Sequence, residues 1–176
     1  MLKTLLRKLT GRDGAREAMI PLYRQIVSTA RRPVWYREGG VPDTIDGRFD
    51  MVSAILSLVL LRLETEGDAA REPSARLTEI FIDDMDGQLR QEGVGDLLVG
   101  KHIGRLMSML GGRLGAFREA LAEGGDLDGA VARNLLRVEA GAPPAQVAVL
   151  RDGLIAFRAA LAATPIGEIL HGDWPA

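Results

Sequence analysis

The sequence predicts an all-α, single-domain bundle of about six to eight helices. Three observations carry that expectation. Apolar residues recur at steps of three and four through several long segments, the spacing of one helical face. Alanine, leucine, arginine and glutamate dominate the composition, and all four favour helix. No run alternates apolar and polar residues for long enough to make a strand, and neither a hairpin signature nor a fixed-period repeat is present. At 176 residues the chain is long enough to bury one substantial core.

The first twelve residues place Leu2, Leu5, Leu6 and Leu9 on one helical face and Lys3, Arg7, Lys8 and Arg12 elsewhere. Charge interrupts the apolar run too often for the core of a secretory signal. A basic, acid-free segment of this kind suits a short helix on a membrane surface, with Lys3, Arg7 and Lys8 toward the headgroups. An organelle transit segment and a solvated first helix are the other readings. Ala15 to Arg31 follows as a helix with Ala18, Leu22 and Ile26 inside, starting near Ile20 or bending at Pro21. Pro33 to Gly40 reads as an irregular connector.

Val41-Pro42-Asp43-Thr44-Ile45-Asp46-Gly47-Arg48-Phe49-Asp50 is a carboxylate-rich turn running into the longest apolar stretch of the chain, Met51 to Leu63. Pro42 keeps Val41 extended, Asp43 or Thr44 can accept from the free N–H groups of a helix, and Asp46 suits its positive end. Ile45, Phe49, Val52, Leu56, Val59 and Leu63 then make one continuous face. With Ser53, Ser57 and Arg62 inside it, this segment is a buried helix, well short of the roughly 20 apolar residues that span a bilayer. Thr65 to Ala75 reads as a polar loop, and Ser74 to Gln91 as a helix with Leu77, Ile80, Phe81, Met85 and Leu89 inward and Asp83, Asp84 and Asp86 on the other side.

A second polar turn follows at Glu92-Gly93-Val94-Gly95-Asp96, where Gly93 suits a helix end and Asp96 the next cap. The helix after it carries the longest stripe: Ile103, Leu106, Met107, Leu110, Leu114, Phe117 and Leu121. Gly111, Gly112 and Gly115 lie within it, so either the helix breaks there or another backbone approaches closely. Leu127 to Glu139 and Ala145 to Ala163 complete the helices. The organisation is a basic amphipathic segment over 1–14, a helical domain over 15–165 and a C-terminal tail over 166–176.

The chemistry-bearing patterns are sparse. With no cysteine, thiolate metal sites, disulfides and cysteine nucleophiles are excluded. The net charge of −2 exerts no overall pull toward DNA. Gly95 to Lys101 has phosphate-loop spacing, but His102 stands where a hydroxyl should meet the metal and no strand precedes Gly95. His102 and His171 lie far apart in sequence, and Asp83, Asp84 and Asp86 cannot share one helical face. No strained G-x-S-x-G turn presents a nucleophile. No catalytic residue, metal or cofactor is therefore assigned. The two glycine-and-charge turns are the candidate partner-binding residues, with an Arg48 contact to Asp96 or Asp83 tying them together: Pro42, Asp43, Asp46, Gly47, Arg48, Phe49 and Asp50 in the first, Gly93, Gly95, Asp96 and Lys101 in the second.

Those two turns carry a family resemblance. Val41 to Asp50 with Leu61-Arg62-Leu63, Met85-Asp86-Gly87-Gln88-Leu89-Arg90-Gln91-Glu92-Gly93-Val94-Gly95-Asp96 with Val99-Gly100-Lys101, then Gly112-Arg113 and Arg133-Asn134-Leu135, together resemble the ubiquinol–cytochrome c chaperone family. The resemblance runs from about Pro33 to Leu135 and extends toward Leu161. It implies a non-enzymatic assembly factor for the cytochrome bc1 complex, binding newly made cytochrome b or another component of that complex. A small helper protein and contact with the ribosome or the membrane surface are further implied partners. The implied place is cytoplasmic, at the inner face of a bacterial plasma membrane. The chain departs from the family pattern at Ile55, Gly111 and Leu135, where a histidine and two aromatics are expected. The alternative is a small helical enzyme acting on an isoprenoid or lipid through the acids of Asp43–Asp50 and Asp83–Asp86. It predicts a closed apolar pocket lined by converging carboxylates, whereas the chaperone predicts an open apolar groove flanked by the two turns.

Overall fold

The computed structural model describes residues 14–91 and 99–174, with side chains described over 14–88 and 103–174. Among them every regular element is helical. A first turn of helix over residues 14–18 (α1) breaks at Met19, and α2 runs Ile20–Ala30 with Pro21 in its first turn, where the missing N–H costs nothing. α4 (Ile45–Glu64) is the hub, packed by α2, α5 (Arg71–Gln91), α6 (Val99–Ala120) and α8 (Pro144–Ala163). From Phe49 to Leu60 every residue of α4 is buried, whichever way it points. A helix apolar all round can be accommodated only at the centre of a bundle. Its two serines cost little, because Ser53 and Ser57 donate to the carbonyls of Phe49 and Ser53, each at 2.7 Å.

The stretch before α4 is more ordered than its composition suggests. Pro33–Arg37 forms a short helix, α3, where the sequence suggested an irregular connector. Trp35 supplies the reason. Its ring is buried against α8, where Gly153 leaves room that a Cβ would fill, and its indole N–H donates to the Thr29 carbonyl at 2.7 Å. Thr65 to Ala75 is likewise mostly helical, with a 3-10 turn over Gly67–Ala70 and α5 already begun at Arg71.

Beyond α6, the expected single helix from Leu127 divides. α7 spans Leu127–Val131, a wider π turn covers Ala132–Leu136, and Arg137 closes it at φ 58°. After α8, the segment read as a tail forms α9 (Ile166–His171) and packs inward. Trp174 is buried edge-on to Phe157, ring centroids 5.7 Å apart, with its N–H 3.4 Å from the Thr29 hydroxyl.

The glycines of α6 behave unlike either expectation. The helix is continuous through Gly111, Gly112 and Gly115, and a Cβ at any of them would meet nothing within 4 Å. Gly111 and Gly112 are exposed. Open space and helical backbone together predict that Gly111→Ala and Gly112→Ala each stabilise the fold by up to about 1 kcal/mol. Thermal melts should therefore rise by a few degrees, and a fall would mean that these positions bear on packing after all.

Candidate functional site

The turn at Pro42 to Asp50 is built from the cap upward. Thr44 is the cap: its hydroxyl accepts from the Gly47 N–H at 3.2 Å. A Cβ on Gly47 would overlap the Pro42 carbonyl oxygen, so only glycine lets the arriving chain lie across the first turn of α4. Arg48 does not reach toward Asp83, as the sequence suggested. Its Nε donates to Asp43 across the same turn at 2.7 Å, while Asp83 takes Arg16 at 2.6 Å. A partner five residues away on the same turn lies within reach without spanning the bundle. The pairing lowers the Asp43 carboxyl below its usual range, chiefly through that hydrogen bond. Asp96, the other suggested partner, lies outside the described residues.

Asp50 has a different task. Its side chain is 0% exposed and both its oxygens are taken. Arg113 of α6 bonds Oδ1, and Nε of Arg137, beyond the π turn, bonds Oδ2 at 2.6 Å. Arg137 also reaches Asp46 at 3.0 Å, joining both acids of the turn, and the bond to Asp50 raises its guanidinium above the ordinary range. Arg113 lies over the Phe49 ring at 4.9 Å, and Phe49 meets Phe81 of α5 at 5.7 Å between centroids. One buried carboxylate thus ties α4, α6 and the residue that closes the π turn together, and an aromatic pair extends the junction to α5.

Of the first-turn candidates, Pro42, Asp43 and Asp46 are exposed and Arg48 is half-buried, while Gly47, Phe49 and Asp50 lie inside. In the second turn Gly93, Gly95 and Asp96 lie outside the described residues. The backbone of Lys101 is helical within α6, and its side chain is likewise outside them. Lys3, Arg7 and Lys8 fall outside them too. Among the departures from the family pattern, Ile55 and Leu135 are fully buried, and Gly111 is exposed.

Among the described residues the acids do not gather into one cluster. Asp83 and Asp84 of α5 are committed to Arg16 and to the Tyr23 hydroxyl, which donates at 2.7 Å. Burial, reinforced by that bond, raises the Tyr23 pKa. These partners belong to α1 and α2, whereas those of Asp50 are Arg113 of α6 and Arg137, just after the π turn.

The feature that stands open is apolar. A groove of about 730 Å³ runs between α5 and α6 over the distal half of α4. Leu60, Ile82 and Leu114 line it, and Ile103 and Met107 stand along one wall, 39% and 48% exposed. Glu64, Glu79 and Asp83 share its rim with Arg16. No residue of Pro42–Asp50 lines it, so the first turn lies apart from the groove it was expected to flank. The long α6 stripe, expected to face inward throughout, divides into two lines. Leu106, Leu110 and Phe117 are buried, while Ile103, Met107 and Leu114 line the groove. Both lines have steps of four and seven, offset by three residues, so the apolar arc is wider than one buried face needs. That width was the signal in the sequence.

Fold and site together define an all-α single-domain protein whose buried carboxylate is committed to architecture and whose apolar groove stands open. The family profile described as Ubiquinol-cytochrome C chaperone matches residues 37–176, and the chain belongs to that family. Its fold is also that of the crystal structure of the Cbp3 homolog from Brucella abortus, with a TM-score of 0.78 and 29% sequence identity over 98% of this chain and 94% of that one. No curated protein sequence matches the chain.

Proposed function

We propose that this protein is a non-enzymatic assembly chaperone of the cytochrome bc1 complex that holds newly made cytochrome b until it is inserted. The observation that carries the reading is the open α5–α6 groove with Ile103 and Met107 exposed along it. A membrane-protein client offers apolar helices that must be kept from water, and an apolar trough with a charged rim is the complementary surface. Asp43, Asp46 and Arg48, with Pro42, form a polar recognition surface apart from the groove. Gly93, Gly95, Asp96 and Lys101, between the described parts of α5 and α6 in sequence or at the start of α6, extend recognition. No helix among the described residues is long and apolar enough to cross a membrane. Lys3, Arg7 and Lys8 hold the protein peripherally at the inner face of a bacterial plasma membrane, an attachment that one short helix makes weak and reversible.

Affinity capture from a respiring host tests the reading. The tagged protein should retain cytochrome b, and Met107→Glu combined with Ile103→Glu should lower the yield at least about tenfold, as for central apolar contacts of an interface. Both side chains are exposed, so the melting temperature should stay nearly unchanged. Loss of the gene with cytochrome b and bc1 activity unaffected would refute the function outright.

A further inference from the structure

The α5–α6 groove is short. Its lining runs from Ser74 to Asp83 along α5 and from Ile103 to Leu114 along α6, about 14 and 16 Å of helix. Walls of that length seat about nine to eleven residues of a helical guest, whereas a helix crossing a bilayer needs about 20. The groove therefore shields one half of such a helix and leaves the other half to another environment. Its charge is lopsided as well. Among the described residues, Glu64, Glu79 and Asp83 stand on the lining against Arg16 alone. All three acids have arginine partners, but Arg118 and Arg76, which pair with Glu64 and Glu79, lie outside the lining. The three carboxylate side chains stay 48%, 41% and 65% exposed, and a carboxylate accepts from more than one donor. Glu79 and Asp83 lie one turn apart, so they form an acidic edge along the α5 wall.

We infer that the groove takes the cationic end of an apolar helix. One half-span lies on Leu60, Ile82 and Leu114 beside Ile103 and Met107, with its Lys or Arg at the acidic edge. Such a guest takes two exposed apolar side chains from water and brings the charge that the lining lacks. In membrane proteins the ends of spans that carry Lys and Arg are the cytoplasmic ones. The protein thus grips its client by the cytoplasmic ends of helices whose remainder stays in the bilayer. That last step rests on the chaperone reading above, while the preference for a cationic end stands on the groove alone.

Two fluorescein-labelled peptides test it. They share a leucine–alanine core of about nine residues and differ only at one end, Lys-Lys in one and Glu-Glu in the other. By fluorescence anisotropy the purified full chain should bind the Lys peptide at least about tenfold tighter at low salt, and high salt should shrink the gap. Ile103→Ser with Met107→Ser should weaken both peptides about tenfold. Glu64→Lys with Asp83→Lys should turn the preference toward the Glu peptide. Glu64→Gln with Asp83→Asn should abolish it, which keeps the test open if the reversed chain fails to fold. Lengthening the core of the Lys peptide to about 14 residues should gain less than about fivefold, because the added turn lies beyond the walls; a larger gain would overturn the half-span limit. Equal binding of the two peptides, or a Lys preference that survives the neutral variant, would overturn the inference. So would a folded chain that binds neither, or a dimer of this chain that the two serine substitutions dissolve, which would assign the groove to a second copy. No cytochrome b enters the assay. Its capture without any charge preference would leave the chaperone function standing and remove the selection of helix ends, and discrimination between the peptides without capture would do the reverse.

Discussion

Asp50→Ala should destabilise the protein by about 3–5 kcal/mol, the cost of removing one member of a buried ion pair and stranding the other. In a chain of this size that lowers the melting temperature by roughly 6–20 °C. The size follows from what the carboxylate does. It is wholly buried and accepts from two guanidinium groups, and one of these, Arg113, is itself only 12% exposed. Without Asp50, Arg113 keeps the Phe49 ring and a long contact of 3.5 Å to the Met109 carbonyl, while its Nε already has no acceptor. Neither offsets a desolvated charge. Arg137→Ala leaves Asp50 Oδ2 without its partner but keeps Arg113 on Oδ1 and opens a half-exposed site to water, so it should cost less, about 1–3 kcal/mol. If the penalty is Arg113 stranded, Asp50→Ala combined with Arg113→Met should recover much of the loss, because an apolar side chain of similar length needs no acceptor. Denaturant unfolding of the single and double variants measures this coupling directly. Additive losses would show that the carboxylate does not work through Arg113.

This junction marks how far the sequence could be read. Phe49 and Asp50 are both visible in the motif at the head of α4, and so is the cap, because capping and apolar period are local properties of neighbouring residues. The fold class was legible for the same reason: α2, α4, α5 and α8 each show their buried face within twenty or so residues. What joins them was not. Arg113 is 63 residues from Asp50 and Arg137 is 87, and no pattern in the chain announces that these arginines meet one carboxylate. Arg48 misled for the converse reason, since a turn can satisfy its own charges more cheaply than the bundle can. Trp35 and Trp174 belong to segments whose composition reads as connector and tail. Each is fixed by burial and by an N–H directed at Thr29, a residue with nothing local to distinguish it. The groove was half legible. The arc of α6 was visibly broad, but only the packing of α4 decides that Leu106 and Leu110 go inside while Ile103 and Met107 stay out.

Gly47→Ala should cost about 2–4 kcal/mol, more than any other single methyl added to the turn. The added Cβ falls on the Pro42 carbonyl oxygen and close to its carbonyl carbon, which are backbone atoms with no rotamer to escape into. Either α4 or the arriving strand of chain must move. α4 is fixed on every side from Phe49 onward, so the strand moves, taking with it the buried Val41 and the Thr44 hydroxyl that caps the helix. Thr44→Ala isolates the cap and should cost about 1 kcal/mol, leaving the remainder to the displaced backbone. The two variants also separate architecture from recognition. Gly47→Ala shifts Pro42 and Asp43 from the proposed recognition surface, so it should weaken capture of cytochrome b even at temperatures where the protein is still folded. Arg48→Ala removes an exposed charge without moving the chain, so it should change capture while leaving the melting temperature as it was. Capture that follows stability through all three variants would mean that the turn serves the fold alone. Capture lost in Arg48→Ala at unchanged stability would place a partner on the exposed edge of the turn.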